Sequence, residues 1–237
     1  MKITAEEKLM YDVMKAIYNS GMPINFKGSM VLKACLIEMG YPEEIRHTED
    51  IDANWYPDTP PTAEQMVESL QNALDKSGIK LKVEIFRMYG EGRSAGFNLK
   101  DSTSGEIIFT MDVDVNRPKS PTKIYEIEGV RFCGVAPIQM ISDKIAVVST
   151  DKVFRRIKDV VDLYYISHIF AYDHTAIVET LKNSNKTLGN FNGFLNRSDE
   201  LQHSYEKFRF SKDVTKPPFE EVYRVVKSYI RDAFSKE

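Results

Sequence analysis

Carboxylates spaced two residues apart occur at two informative places in this chain. One pair lies in Arg46-His47-Thr48-Glu49-Asp50-Ile51-Asp52, the other in Met111-Asp112-Val113-Asp114-Val115. On a β-strand, side chains two apart share a face, so Asp50 and Asp52 would stand side by side. Neighbouring carboxylates repel and raise each other's pKa unless something positive sits between them. A divalent cation does this, and Mg²⁺ prefers one or two carboxylates completed by substrate phosphates. Around the second pair, Ile107, Phe109, Met111, Val113 and Val115 would face one way, and Thr110, Asp112 and Asp114 the other. Two such strands could converge on one metal site; taken singly, either pair could simply decorate the wet face of a half-buried sheet.

A second chemical signal is the Gly28-Ser29 step between a short extended run, residues 24–26, and an apolar helical pattern through Met30, Val31, Leu32, Cys35, Leu36 and Met39. Glycine at a strand-to-helix junction lets backbone approach a phosphate closely, and unpaired N–H groups at a helix start favour an anion. Ser29 could add a hydroxyl donor. No GxxxxGK[ST] loop occurs. Gly90, Gly92 and Gly96 are spaced one residue too widely for the dinucleotide fingerprint and read as a hairpin loop. Further along, Lys158 and Asp162 are four apart, as are Arg155 and Asp159, so each pair could sit side by side on a helix.

The elements that must position these residues follow from periodicity. Leu9, Met10, Val13, Met14, Ile17 and Tyr18 recur with a helical period, stopped by Gly21 and Pro23. Residues 50–56 alternate as a strand, broken by Pro57, Pro60 and Pro61. Thr62 is a natural N-cap for a helix over 63–76. Residues 79–88, 94–99 and 107–115 read as strands, and 126–135 as one more. From Pro137 to Phe170 the pattern is helical, and the remainder through Phe234 is helical with breaks near 183–192 and at Pro217 and Pro218. The expected architecture is α+β: mixed strands and helices over residues 1–135, then a helical domain over 136–237.

Composition bounds the function. The chain has 237 residues, 42% apolar and 28% charged, enough to bury a substantial core and too apolar for disorder. A net charge of −3 disfavours a uniformly basic nucleic-acid binder but leaves room for a local basic surface. No apolar run is long enough to span a membrane, and Glu6, Glu7 and Asp12 make the start unlike a signal peptide. Cys35 and Cys133 read as buried thiols of a reducing compartment, the cytoplasm. Trp55, just past Asp52, could stack on a base but suits core packing better.

The order of the signals, strand, Gly28-Ser29, helix, then R-x-T-x-D-I-D and a later acidic strand, resembles the polymerase-β-like nucleotidyltransferase superfamily. Ser142-Asp143-Lys144-Ile145-Ala146, Arg156-Ile157-Lys158-Asp159-Val160-Val161-Asp162 and Asp112-Val113-Asp114-Val115-Asn116 followed by Pro118 resemble the AbiEii/AbiGii toxins of type IV toxin–antitoxin systems. That resemblance, spanning about residues 26–165, implies Mg²⁺ (or Mn²⁺) held by Asp50 and Asp52 with Asp112 or Asp114. It implies an NTP whose phosphates meet Gly28 and Ser29, with Lys144 and Lys158 neutralising their charge. Asp159 or Asp162 would orient Lys158 or act on the acceptor, while Arg46 and Thr48 would brace the loop. It further implies an RNA acceptor, notably the tRNA 3′ end, and a cognate antitoxin. A basic surface for RNA could be built from Lys152, Arg155, Arg156 and Lys158, joined by Lys207, Arg209, Lys212 and Lys216. A small-molecule acceptor, or a catalytically silent interaction module, are the other expectations the residues allow.

Overall fold

The computed structural model describes residues 1–56, 59, 61–90, 94–115 and 117–234. Pro57, Pro60, Gly92 and Asn116, which figure in the sequence reading, lie outside them. The chain divides into two compact units. One comprises Lys2–Glu38 and Thr48–Ala136; the other comprises Met39–His47 and Pro137–Glu237, with Met1.

The first unit opens with α1 (Ala5–Asn19), whose Thr4 and Glu7 form a reciprocal capping box that satisfies two N-terminal N–H groups. Strand β1 (Ile24–Lys27) leads directly into α2 (Gly28–Glu38), and β2 (Asp50–Trp55) follows. A second capping box, Thr62 with Gln65, starts α3 (Ala63–Lys76) as its sequence predicts. Then come β3 (Leu81–Tyr89), β4 (Ser94–Asp101) and β5 (Ile107–Val115). The single strand expected over 126–135 is instead a hairpin, β6 (Thr122–Ile127) and β7 (Val130–Val135). Glu128 and Gly129 both take positive φ, 47° and 77°, the geometry of a two-residue turn that matches strand twist. Glutamate is an uncommon residue there, which hid the turn.

The seven strands form one mixed sheet in the order β3-β4-β5-β2-β1-β7-β6. Strand β2 runs parallel to β5 and antiparallel to β1, which runs parallel to β7. Val13 and Ile17 of α1, Leu70 and Leu74 of α3, and Val83, Leu99 and Met111 of the sheet line one apolar layer. Phe132 stacks between Tyr11 and Tyr125 and meets Phe26 edge-on. Because β5 alternates, burying Phe109, Met111, Val113 and Val115 leaves Asp112 and Asp114 on the other face. Ile107, expected on the apolar side, is exposed at the start of its strand.

In the second unit, the helical stretch expected from 137 to 170 splits into α4 (Pro137–Val148), a 3₁₀ turn (Val153–Arg156) and α5 (Ile157–Ser167). Ser149 and Thr150 stand at the break. Their hydroxyls donate back to the carbonyls of Ala146 and Val147, competing with the helical ladder. Helices α6 (His174–Asn183), α7 (Asn192–Asn196), α8 (Ser198–Lys207) and α9 (Phe219–Tyr229) complete it. Helix α4 packs on α5 and α6, and α5 on α9.

Between α1 and α2 lies a fully buried ion pair: Lys33 Nζ is 2.7 Å from Glu7 Oε2, each side chain 1% exposed. Removing one partner strands the other charge in the core. Lys33→Met should therefore lower unfolding free energy by about 3–5 kcal/mol, measured by urea denaturation. Glu7→Gln added to it should recover part of the loss.

Candidate active site

Gly28 begins α2 at φ +75°, in the left-handed region where side chains are disfavoured. A Cβ there would lie 2.4 Å from Asp52 Oδ2. The glycine thus meets two requirements, a turn and a close approach that brings the helix start against a carboxylate. Ser29, the next residue, is half-buried in the first turn of α2. The N–H groups of this first turn form an anion-binding end of the helix.

Strand register arranges the acids. Lys27 of β1 is opposite Asp52 of β2, Asp52 is opposite Asp112 of β5, Asp112 is opposite Gly96 of β4, and Gly96 is opposite Arg87 of β3. One row across five strands therefore reads cation, acid, acid, gap, cation. Asp50 lies two residues before Asp52 on the same face, opposite Thr110. Thr48 Oγ1 donates to Asp50 Oδ1 at 3.0 Å and to the Asp50 carbonyl at 3.3 Å, bracing that carboxylate.

Asp112 and Asp114, left open as alternatives by the sequence, occupy different surroundings. Asp114 lies opposite Asn54. Its carboxylate accepts from Lys27 Nζ at 2.6 Å and from Arg117 at 3.3 Å, and Lys27 also donates to Asn54 Oδ1 at 2.8 Å. Burial would raise the Asp114 pKa, but Lys27 and Arg117 outweigh it and hold the group below its ordinary value. Asp112 stands beside Asp52; its Oδ2 is 2.5 Å from Arg87 Nη2, and its Oδ1 is buried with no hydrogen-bond partner. Tyr89 is pushed well above its usual pKa by burial and by the negative charges of Asp114, Asp112 and Asp52.

These residues fit a divalent cation. They provide adjacent carboxylates with an unsatisfied oxygen, beside a helix start that suits phosphate. Among the described residues, no three acidic, thiol or imidazole groups stand close enough to form a ready-made metal cage. Mg²⁺ takes much of its coordination from water and substrate phosphates, so one or two carboxylates can suffice.

The helical unit gathers a second charged cluster. Lys144 of α4 is buried, 2.5 Å from Asp162 Oδ2 and 3.4 Å from Asp159 Oδ1. Arg46 grips Asp162 through two hydrogen bonds of 3.0 Å, Nε to Oδ1 and Nη2 to Oδ2. Arg156 Nε lies 2.9 Å from the other oxygen of Asp159. Burial would raise the Asp162 pKa, yet Arg46 and Lys144 pull it down to about 2. Burial would lower that of Lys144, yet Asp162 and Asp159 raise it above the ordinary lysine value.

The expected helical pairs Lys158–Asp162 and Arg155–Asp159 do not form. Asp162 and Asp159 point into the protein, where Lys144 and Arg46 can meet them without water competing. Lys158 is exposed and has no ion pair among the described residues. Lys152, Arg155, Arg156, Lys207, Arg209 and Lys212 are also exposed. Lys216, expected with them, is committed elsewhere. Its ammonium donates to the carbonyls of Tyr205 and Phe208 at 2.5 and 2.7 Å, closing the C-terminus of α8. Trp55 is buried in the core, and Cys35 and Cys133 are free thiols, the latter only half-buried. Lys27 and Arg87 went unassigned in the sequence. Lys27 sits one residue before Gly28 and shares a strand face with Asn25, a spacing that could have flagged it.

No family model and no curated protein matches the chain. Among solved structures, it is similar to an antigenic nucleotidyltransferase-like protein from Paracoccidioides brasiliensis, at 14% identity and a TM-score of 0.53, covering 89% of this chain and 97% of the other. MenT4, a nucleotidyltransferase toxin from Mycobacterium tuberculosis H37Rv, aligns at 14% identity and a TM-score of 0.47, covering 98% and 85%. The first likeness places the chain in the nucleotidyltransferase fold. It also bears out the α+β class expected from the sequence.

The buried cluster makes a pH prediction. A carboxyl held at about 2 contributes stability above its ordinary range near 4 and loses it as pH falls through 2. Asp162→Asn should cost about 3–5 kcal/mol at pH 7 by stranding Arg46 and Lys144. Urea melts should show that difference narrowing from about pH 4 toward pH 2.

Proposed function

We propose that the protein transfers a nucleoside monophosphate from an NTP to an acceptor hydroxyl, releasing pyrophosphate. The observation that carries this reading is the in-register neighbourhood of Asp52 and Asp112 beside the glycine-led start of α2. Asp52 and Asp112, joined by Asp50, would hold Mg²⁺ (or Mn²⁺). When bound, such ions orient an in-line phosphoryl displacement and stabilise the charge on its attacking and leaving oxygens. Of the two candidates for the third carboxylate, Asp112 is favoured, because Asp114 is already neutralised by Lys27 and Arg117.

The chain's own contribution is binding and orientation. Gly28 and Ser29 would receive the β- and γ-phosphates on the backbone N–H groups of the first turn of α2. Thr48 fixes the rotamer of Asp50. Lys27 and Arg117 pair with Asp114 and hold it charged. The acceptor hydroxyl gives its proton to solvent water as its oxygen bonds to the α-phosphorus, and the bond from that phosphorus to the bridging oxygen breaks, releasing pyrophosphate.

In the helical unit, Lys158 supplies an uncommitted positive charge for a polyanionic ligand. Lys144, Asp159 and Asp162 act as a buried brace, with Arg46 as the clamp. The acceptor we propose is RNA, notably the tRNA 3′ end, and the role that of a toxin of the AbiEii/AbiGii kind with a cognate antitoxin, acting in the cytoplasm. The sequence motifs support this part of the reading. The exposed basic residues from Lys152 to Lys158 support the RNA. No helix among the described residues is long and apolar enough to cross a membrane.

The test uses purified protein, Mg²⁺, each α-labelled NTP in turn and total tRNA. Label should appear on tRNA with the wild type and vanish with Asp52→Asn. Asp112→Asn should lose at least about a hundredfold in rate, and Asp114→Asn much less. Equal losses at 112 and 114 would overturn the choice between them. RNA binding should weaken steeply with added salt, and a flat response would exclude the nucleic-acid acceptor.

A further inference from the structure

The pairing of β3 with β4 skips a residue between Ile85 and Arg87, so Phe86 is the extra residue of a β-bulge. A bulge re-aims the side chains around it, and here it concerns Arg87, opposite Gly96. A Cβ on Gly96 would lie 2.7 Å from Asp112 Oδ1 and 2.7 Å from the Phe86 ring. With only a hydrogen there, Arg87 reaches over the neighbouring strand to Asp112, with 2.5 Å between Nη2 and Oδ2. Its guanidinium also lies 5.1 Å from the centroid of Phe86 and 5.4 Å from that of Tyr89.

Two features set this pair apart from the buried ones. The Arg87 side chain is 53% exposed and that of Asp112 27%, so water and incoming ions can compete for both. The bond also engages one Asp112 oxygen and leaves the other unsatisfied. Arg87 neutralises the carboxylate in the place of a metal ion without completing its coordination.

We propose that Arg87 is an exchangeable counter-ion: it holds Asp112 while the site is empty and passes to the triphosphate of an incoming nucleotide. The inference rests on the nucleotidyltransferase reading. Its consequence is coupling. A divalent cation alone must displace a tethered guanidinium, whereas a cation arriving with nucleotide brings phosphate oxygens that take the guanidinium over. A planar fork of N–H donors suits phosphate as well as carboxylate, and the Phe86 and Tyr89 rings keep it positioned for either.

Mn²⁺ binding, followed by the electron paramagnetic resonance of free Mn²⁺, tests this without turnover. In the wild type, an α,β-methylene NTP analogue should tighten Mn²⁺ binding strongly. Arg87→Met, which keeps an unbranched aliphatic stem without the charge, should bind Mn²⁺ about tenfold more tightly without nucleotide. It should bind the analogue about tenfold more weakly, so the coupling shrinks. Arg87→Lys should restore much of it, which a purely structural role for the side chain would not explain. If Arg87→Met matches the wild type with and without analogue while Asp52→Asn loses Mn²⁺, the counter-ion role fails and the metal site stands. If Asp52→Asn also matches the wild type, the metal-site reading fails and this inference with it.

Discussion

Asp52 and Asp112 stand side by side in register on neighbouring parallel strands, and carboxylates so placed repel unless positive charge lies near. The rest of the acidic face accommodates that repulsion. Lys27 and Arg87 end the row on either side, Thr48 fixes Asp50, and Arg117 shares Asp114 with Lys27. Gly28 and Gly96 occur where a methyl group would strike Asp52 or Asp112. Both glycines free space next to a carboxylate, which a sheet built only for stability would fill. The other face of the sheet packs apolar side chains of β3, β4 and β5 against α1 and α3.

The helical unit handles its acids in the opposite way. Asp162 receives a two-bond clamp from Arg46 and a third contact from Lys144, all in the dry interior. A cluster so fully paired, with both protonation states locked by burial and charge, resists exchange with solutes. The Arg87–Asp112 pair on the sheet face is partly exposed and leaves one carboxylate oxygen unsatisfied. Burial, rather than residue type, separates a brace from a site that can change partners.

The same distinction governs what could be read from sequence. The Gly28-Ser29 turn, the two acidic strands and the alternation of β5 are local patterns, legible because period two and period 3.6 are properties of neighbouring residues. The choice between Asp112 and Asp114 is not local. It depends on β2 pairing with β5 in a register that sets Asp52 against Asp112 and Asn54 against Asp114. The helical spacing of Lys158 and Asp162 permitted a pair, but tertiary neighbours took the acid, because Arg46 and Lys144 reach it where water does not. Arg87 was invisible because a bulge redirects it, and the β6–β7 hairpin because Glu128 takes a conformation its residue type seldom adopts. The excursion of Met39–His47 into the helical unit, which carries Arg46 to its partner, likewise has no signature in composition.

Charge on the sheet face finally constrains what can bind there. Among the described residues, Asp50, Asp52, Asp112 and Asp114 share this face with the paired cations Lys27, Arg87 and Arg117. A bare triphosphate approaching these carboxylates would meet charges of its own sign, and the dipole of one short helix offers roughly half a charge in compensation. The phosphates and the carboxylates can share the space only if positive charge comes with the ligand or is released from an existing pair. Lys27 is unsuited to release, since it is held by both Asp114 and Asn54. Arg87, held by one carboxylate oxygen and two ring faces, is the cation whose bonds a phosphate can replace in kind.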